Sequence, residues 1–239
     1  MADSAKERVP RKIEKRVGVF GHSFVASYHG PYTRKLNEFC PNVKFEEHGL
    51  KGSGVSHVIG ELQKTTFGQY DEAIIHTGVN EIKGWEEGTW EKSFERIRKK
   101  LESAIKIARE KGIGRIILVE ATPWKGYPTW REKNGGYTLE YNKMLAELAK
   151  DKDVELVKLY DLMEGEKGAL KEEYSGDFLH PNKKGYEVIA KAIAESKYPQ
   201  WIELKGYVPL ASEPAKDARK TVKTPAEGSW TDRLRRIVQ

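Results

Sequence analysis

Glu72-Ala73-Ile74-Ile75-His76, followed by Thr77-Gly78-Val79-Asn80-Glu81, is a short run with an apolar centre that stops at a glycine. A segment with that pattern suits an inner strand of a parallel sheet covered by helices on both faces. The same punctuation recurs outward in both directions. Residues 16–20 form an apolar strand ending at Gly21, and residues 43–47 alternate as a strand before the loop from Gly49 to Gly54. Residues 115–121 are strongly β-branched, and 154–159 supply a fifth strand. Helical patterns fill the intervals. One runs from Gly30-Pro31 to about Cys40, since proline is tolerated only in a first turn. Val55, Val58, Ile59 and Leu62 recur at helical spacing. So do Phe94, Ile97, Leu101, Ile105 and Ala108 across 90–111, where Gly112 and Gly114 stop the helix. Residues 137–150 and 183–197 complete the set. Strands alternating with helices five times predict an α/β fold whose reactive groups gather outside the carboxyl ends of its strands.

Four segments sit where those ends fall: Gly21-His22-Ser23, Lys51-Gly52-Ser53-Gly54, Gly78-Val79-Asn80 and Asp177-Phe178-Leu179-His180. In that order they supply what acyl transfer through a serine needs. A hydroxyl attacks, an imidazole moves its proton, a carboxylate fixes the imidazole tautomer, and N–H groups hold the oxyanion. Each segment alone has an ordinary structural reading. A serine after a strand is commonly a helix cap, and an asparagine beside glycine is common in turns. The Asp177–His180 spacing is more specific. Two intervening residues on a tight turn let the carboxylate accept from Nδ1–H while Nε2 faces the serine, and Asn182 is placed to cap the next helix. His29, His48 and His57 read as ordinary solvated or hydrogen-bonded histidines.

Composition bounds the partners. The chain has 239 residues, 38% hydrophobic and 33% charged, enough for one large α/β domain with a heavily charged surface. No apolar run approaches the ~18–20 residues of a membrane span. The start, Met1 to Arg8, has charge but no apolar stretch, so a cytoplasmic setting is expected. The net charge of +6 lies at the two ends, with +3 in residues 1–16 and +3 in 200–239. A balanced middle argues against a basic nucleic-acid groove on the core and leaves weak, non-specific contact through the termini. Cys40 is the one cysteine, which excludes intrachain disulfides and cysteine-based zinc sites. The expected organisation is a polar arm over 1–15, a domain over 16–199, and a basic, proline-containing tail over 200–239.

A phosphate-binding turn is the competing reading of the first motif. Gly21 stands alone, without the spaced glycines of a dinucleotide loop or a Gly-Lys-Ser/Thr. A metal held by His22, His76 and His180 is a second alternative, against which the spacing lacks a zinc pattern.

The four segments resemble the SGNH, or GDSL-type, hydrolase superfamily over roughly residues 17–193. Tyr141-Asn142-Lys143-Met144-Leu145 and His180-Pro181-Asn182 with Gly185-Tyr186 extend the likeness. The resemblance implies a three-layer, flavodoxin-like sandwich with a five-stranded parallel sheet and no cofactor or metal. It implies Ser23 as nucleophile, His180 as base and Asp177 as its orienter. Ser23 N–H, Gly52 N–H and the Asn80 amide would be the oxyanion donors. Gly52 is preferred to Gly54 because Val58, Ile59 and Leu62 then fall where the family places them. Two positions depart from the family. His22 stands where Gly-Asp-Ser has its aspartate, and Glu81 replaces the aspartate that follows the asparagine. Both border the site without removing a reacting atom.

Trp85, Trp124, Tyr127 and Trp130 lie in loops bordering the same edge. They read either as local packing or as an aromatic rim for a sugar ring or acyl group. The leading expectation is a serine esterase acting on short acyl esters, acetyl above all, of a carbohydrate or small molecule. An acyltransferase with the same residues, or a binding module whose basic arms meet an acidic partner, are the alternatives.

Overall fold

The computed structural model describes residues 12–26, 31–83, 90–124, 131–177 and 179–210. Five strands form one sheet: β1 (Lys15–Gly21), β2 (Val43–Gly49), β3 (Glu72–His76), β4 (Arg115–Val119) and β5 (Val154–Val157). Their order is β2-β1-β3-β4-β5 and every pairing is parallel. The strands are short because each is sealed on both faces. Val17, Val19, Ile74, Ile116, Ile117 and Leu118 are fully buried. Helices α1 (Tyr32–Phe39) and α7 (Lys183–Lys197) pair with each other, as do α2 (Val55–Lys64) and α4 (Trp90–Glu110). The right-handed crossover rule puts those pairs on opposite faces. This is the three-layer sandwich expected from the sequence.

Register sets the site. Gly21 of β1 stands opposite Gly49 of β2 and His76 of β3, so three neighbouring strands end level. The residues beyond those ends therefore emerge side by side. The chain also switches direction here, from β2 on one side of β1 to β3 on the other, which opens a crevice at that edge.

The opposite end of the sheet is held by charge. Glu72 is buried and accepts hydrogen bonds from Lys15, Arg115 and the Tyr198 hydroxyl, the last at 2.8 Å. A carboxylate taken out of water needs such partners. The Arg115 guanidinium also forks onto Glu155 at 2.7 and 3.0 Å, and that hydrogen bonding holds the Glu155 carboxyl at about 2.

Three features differ from the sequence reading. Helix α5 (Arg131–Leu148) starts earlier than residue 137, running through Gly135 and Gly136, whose intrinsic preferences argue for a break. Two short helices, α3 (Val79–Lys83) and α6 (Tyr160–Met163), occupy stretches to which the sequence reading assigns no helix. Residues 200–209, assigned to the tail, belong to the compact unit, which runs to Pro209. Glu203 N–H donates to the Phe39 carbonyl at 2.9 Å, and the Tyr207 ring meets Phe39 edge-on at 5.1 Å. Most of the expected arm and the remainder of the tail lie outside the described residues.

Candidate active site

The chain leaving β1 at once makes a single helical turn. Val25 N–H and Ala26 N–H both donate to the His22 carbonyl, at 2.9 and 3.1 Å. Phe24 N–H donates to His22 Nδ1 at 3.3 Å. Ser23 is thus the first residue of the turn, 5% exposed, and its N–H has no protein partner among the described residues. First-turn N–H groups have no partner within a helix and stay available to an anion.

The loop after β2 is strapped to this turn. Leu50 N–H donates to the Gly21 carbonyl at 3.2 Å, and the Ser53 hydroxyl donates to the Leu50 and Gly21 carbonyls at 2.7 and 3.3 Å. Gly52 has φ +71°, a left-handed conformation natural to glycine, in open space. Gly54 answers a different need. A Cβ there would lie 1.9 Å from Glu81 Oε1, so only glycine leaves room for that carboxylate. Glu81 Oε1 accepts the Val55 N–H at the start of α2, and burial raises the Glu81 carboxyl against the pull of that hydrogen bond. Glu81, from the short helix α3 after β3, therefore fixes the loop after β2. Asn80 adds a second tie, its amide donating to the Ser53 carbonyl at 2.8 Å. An amide has two N–H donors, so one remains for a ligand. These hydrogen bonds tie the loop that carries Gly52, through Leu50 and Ser53, to Gly21 just before Ser23 and to Asn80. Asn80→Ala is expected to lower kcat by about 10²–10³, with unchanged melting within a few degrees; steady-state kinetics on a nitrophenyl ester checks it.

The Asp177–His180 turn is clamped at its base. Ser175 bridges to Pro181, Asn182 N–H donates to the Tyr174 carbonyl at 2.7 Å, and Asn182 caps α7 by accepting from Lys184 and Gly185 N–H. Within the turn, Asp177 Oδ2 meets His180 Nδ1 at 2.7 Å. Oδ1 takes the backbone N–H groups of Leu179 (3.0 Å) and His180 (2.6 Å) and the Ser175 hydroxyl (3.2 Å). Burial opposes ionisation, but the hydrogen bonds from the His180 ring and from backbone N–H groups prevail, and the Asp177 carboxyl lies at about 2. The His180 ring stands edge-on to Phe24, centroids 6.1 Å apart, which brings it to the residue after Ser23. The Ser23 hydroxyl and His180 are not hydrogen-bonded in this resting arrangement. That contact commonly tightens only when substrate is bound.

Beneath this surface lies a buried pair, His22 and His76, with ring centroids 5.4 Å apart and neither exposed. Burial, with the charges of His76 and His180 adding to it, drives His22 well below the usual histidine range. Burial likewise takes His76 down to about 3, although the Glu120 backbone pulls the other way. A histidine neutral in the fold but protonated in the unfolded chain costs stability as pH falls. Its contribution is intact above the unfolded value near 6.5 and is lost progressively below it. Replacing His76 by glutamine is expected to flatten the dependence of unfolding free energy on pH between 6.5 and 5. The expected change in slope is up to about 1.4 kcal/mol per pH unit, measured by urea titrations at several pH values. Because Glu81 and Glu120 are common to both proteins, their opposing contributions cancel in the difference.

Of the expected aromatic rim, Trp124 is 7% exposed and lies inside the domain instead of on a rim. Trp85, Tyr127 and Trp130 lie outside the described residues. Asn142, quoted above within the segment 141–145 without a role, pins Ala121 by paired amide hydrogen bonds of 2.9 and 3.0 Å and so fixes the chain leading to Trp124. An asparagine on the inward face of a helix is the available signal. Among the described residues no cluster of histidine, cysteine and carboxylate groups could hold a metal ion. No helix among them is long and apolar enough to cross a membrane. The groove between α2 and α4, lined by Ile59, Lys92, Arg96 and Lys100 among others, contains none of the residues above.

Chemistry of this kind on the edge of a 2-1-3-4-5 parallel sheet marks a class, the α/β ester hydrolases. Residues 19–188 match the GDSL-like lipase/acylhydrolase family, and the chain belongs to it. Solved structures of similar fold include a GDSL-like lipase from Bacteroides thetaiotaomicron, 20% identical, with 78% of this chain and 89% of that one covered and a TM-score of 0.59. A member of the lipolytic G-D-S-L family from Veillonella parvula is 18% identical, with coverage of 77% and 98% and a TM-score of 0.60. An acetyl xylan esterase is 17% identical, with coverage of 76% and 99% and a TM-score of 0.62. At such identities the likeness is one of fold. No curated protein matches the chain.

Proposed function

We propose that this acylhydrolase cleaves short acyl esters, acetyl above all, from a carbohydrate or small-molecule alcohol through an acyl-Ser23 intermediate. Ser23 Oγ attacks the ester carbonyl as His180 Nε2 takes its proton. The Asp177 carboxylate keeps the His180 proton on Nδ1 and stabilises the imidazolium. The tetrahedral oxyanion is met by Ser23 N–H, Gly52 N–H and the free N–H of the Asn80 amide. His180 then returns the proton to the leaving alcohol, and a water deprotonated by the same imidazole releases the acid.

The observation that carries this reading is the Asp177–His180 contact of 2.7 Å, with the other carboxylate oxygen already committed to two backbone N–H groups. The fold shared with an acetyl xylan esterase supports the carbohydrate ester. A panel of nitrophenyl esters from acetate to palmitate tests it. We expect kcat/KM to be highest for acetate and to fall by about tenfold or more by octanoate. A maximum at long chains would refute the short-acyl reading.

A further inference from the structure

His22 occupies the place of the family's aspartate, and its geometry gives that replacement a use. Its carbonyl accepts the first two hydrogen bonds of the turn, and its Nδ1 accepts the N–H of Phe24, two residues on. That is the geometry of a helix N-cap, in which a short side chain accepts from the second or third N–H. Nδ1 lies as many bonds from Cα as the Oδ1 of aspartate or asparagine, so the ring performs the same capping task without charge. An accepting Nδ1 assigns the proton of the neutral ring to Nε2. Nε2 is buried and without a hydrogen bond among the described residues. Both nitrogens of the neighbouring His76 ring are in the same condition.

We propose that His22 is a positioning residue for the reaction: as an uncharged cap it holds the turn presenting Ser23, and it leaves no negative charge beneath His180. This rests on the Ser23–His180 reading above. The consequence concerns pH. When His180 accepts the Ser23 proton it becomes a cation. A carboxylate at position 22 would stabilise that cation even in the resting enzyme, holding the base protonated at higher pH. A neutral cap leaves His180 available as a base in more acidic solution. The groups facing this pair come from several elements. Asp177 faces His180 within its own turn, Phe24 and Tyr186 line the α7 side, and His76 of β3 and Tyr32 of α1 close the interior. Asp177 supplies a carboxylate among these described groups, and a carboxylate at 22 would add another, with His76 as its competing partner.

Four variants test this by the pH dependence of kcat/KM on a nitrophenyl acetate substrate. His22→Asn keeps the acceptor and is expected to stay within about threefold of the parent kcat, whereas His22→Ala loses the cap and should lose about 3- to 30-fold with little change in KM. His22→Asp should shift the acidic limb of the profile upward. The double variant His22→Asp/His76→Asn, lacking the competing imidazole, should shift it by about one pH unit. Circular dichroism monitors folding. The proposal is overturned if His22→Asn is as impaired as His22→Ala, or if the acidic limb of the double variant coincides with that of the parent. If the parent hydrolyses no ester, the functional reading falls. The cap is then decided by ¹⁵N chemical shifts of the His22 ring, with unprotonated Nδ1 expected and protonated Nδ1 contradicting it.

Discussion

Asp177→Asn is expected to lower kcat by about 10⁴-fold with the fold unchanged. The size comes from which oxygen is already committed. Oδ1 accepts backbone N–H groups from Leu179 and His180. In the asparagine variant those two donors would hold the amide oxygen at that position. The NH₂ group must then occupy the place of Oδ2, facing His180 Nδ1 at hydrogen-bonding distance. A donor there forces Nδ1 to accept, and the neutral imidazole must carry its proton on Nε2. That is the nitrogen required to take the proton of Ser23, so the base is lost while every atom stays in place. The Asp177 carboxyl lies at about 2, so the parent enzyme should show no loss of this carboxylate anywhere above pH 4. Stopped-flow or steady-state rates on nitrophenyl acetate, compared at one pH, measure the effect.

Ser23→Ala should be more severe, with turnover reduced at least about 10⁵-fold. The substitution removes one oxygen and leaves the capped turn intact, because the bonds forming that turn use the His22 carbonyl, the His22 ring and the N–H groups of Phe24, Val25 and Ala26. Ser23 N–H survives in the variant. Substrate affinity should therefore persist, and isothermal calorimetry with a slow substrate would detect binding without hydrolysis. Residual hydrolysis from oxyanion stabilisation alone can exceed the uncatalysed rate by about 10³–10⁴, so the comparison must be with the parent enzyme.

The fold was legible because the apolar strand cores carry it. Residues 73–75 and 116–119 are uniformly apolar, and both lie in inner strands of the sheet. Site residues that terminate strands were legible for the same reason: Gly21, Gly49 and His76 end level, and the loops they lead into converge. The short helices α3 and α6 were not legible, since four or five residues give too little periodicity to separate a turn from a helix. Position 81 shows a different limit. A glutamate after a Gly-x-Asn turn reads as a variation on a nearby acid. Its work, accepting the Val55 N–H across a glycine at 54, depends on two loops far apart in sequence. His22 was equally opaque. Nothing in Gly-His-Ser announces that the ring turns back onto Phe24 N–H, and the approach of His76 from β3 entered only as the metal alternative. The Asp177–His180 pair was readable because both partners lie on one tight turn, where spacing alone constrains geometry.

The chemistry depends on Ser23 being a nucleophile made reactive by the imidazole of His180. Intact-mass spectrometry after brief exposure to a fluorophosphonate measures this directly. The parent protein should gain a single adduct, mapped to Ser23, the Ser23→Ala variant none, and the His180→Ala variant an adduct formed orders of magnitude more slowly. Labelling of Ser23→Ala at the parent rate, or a parent protein that resists the reagent, would contradict it.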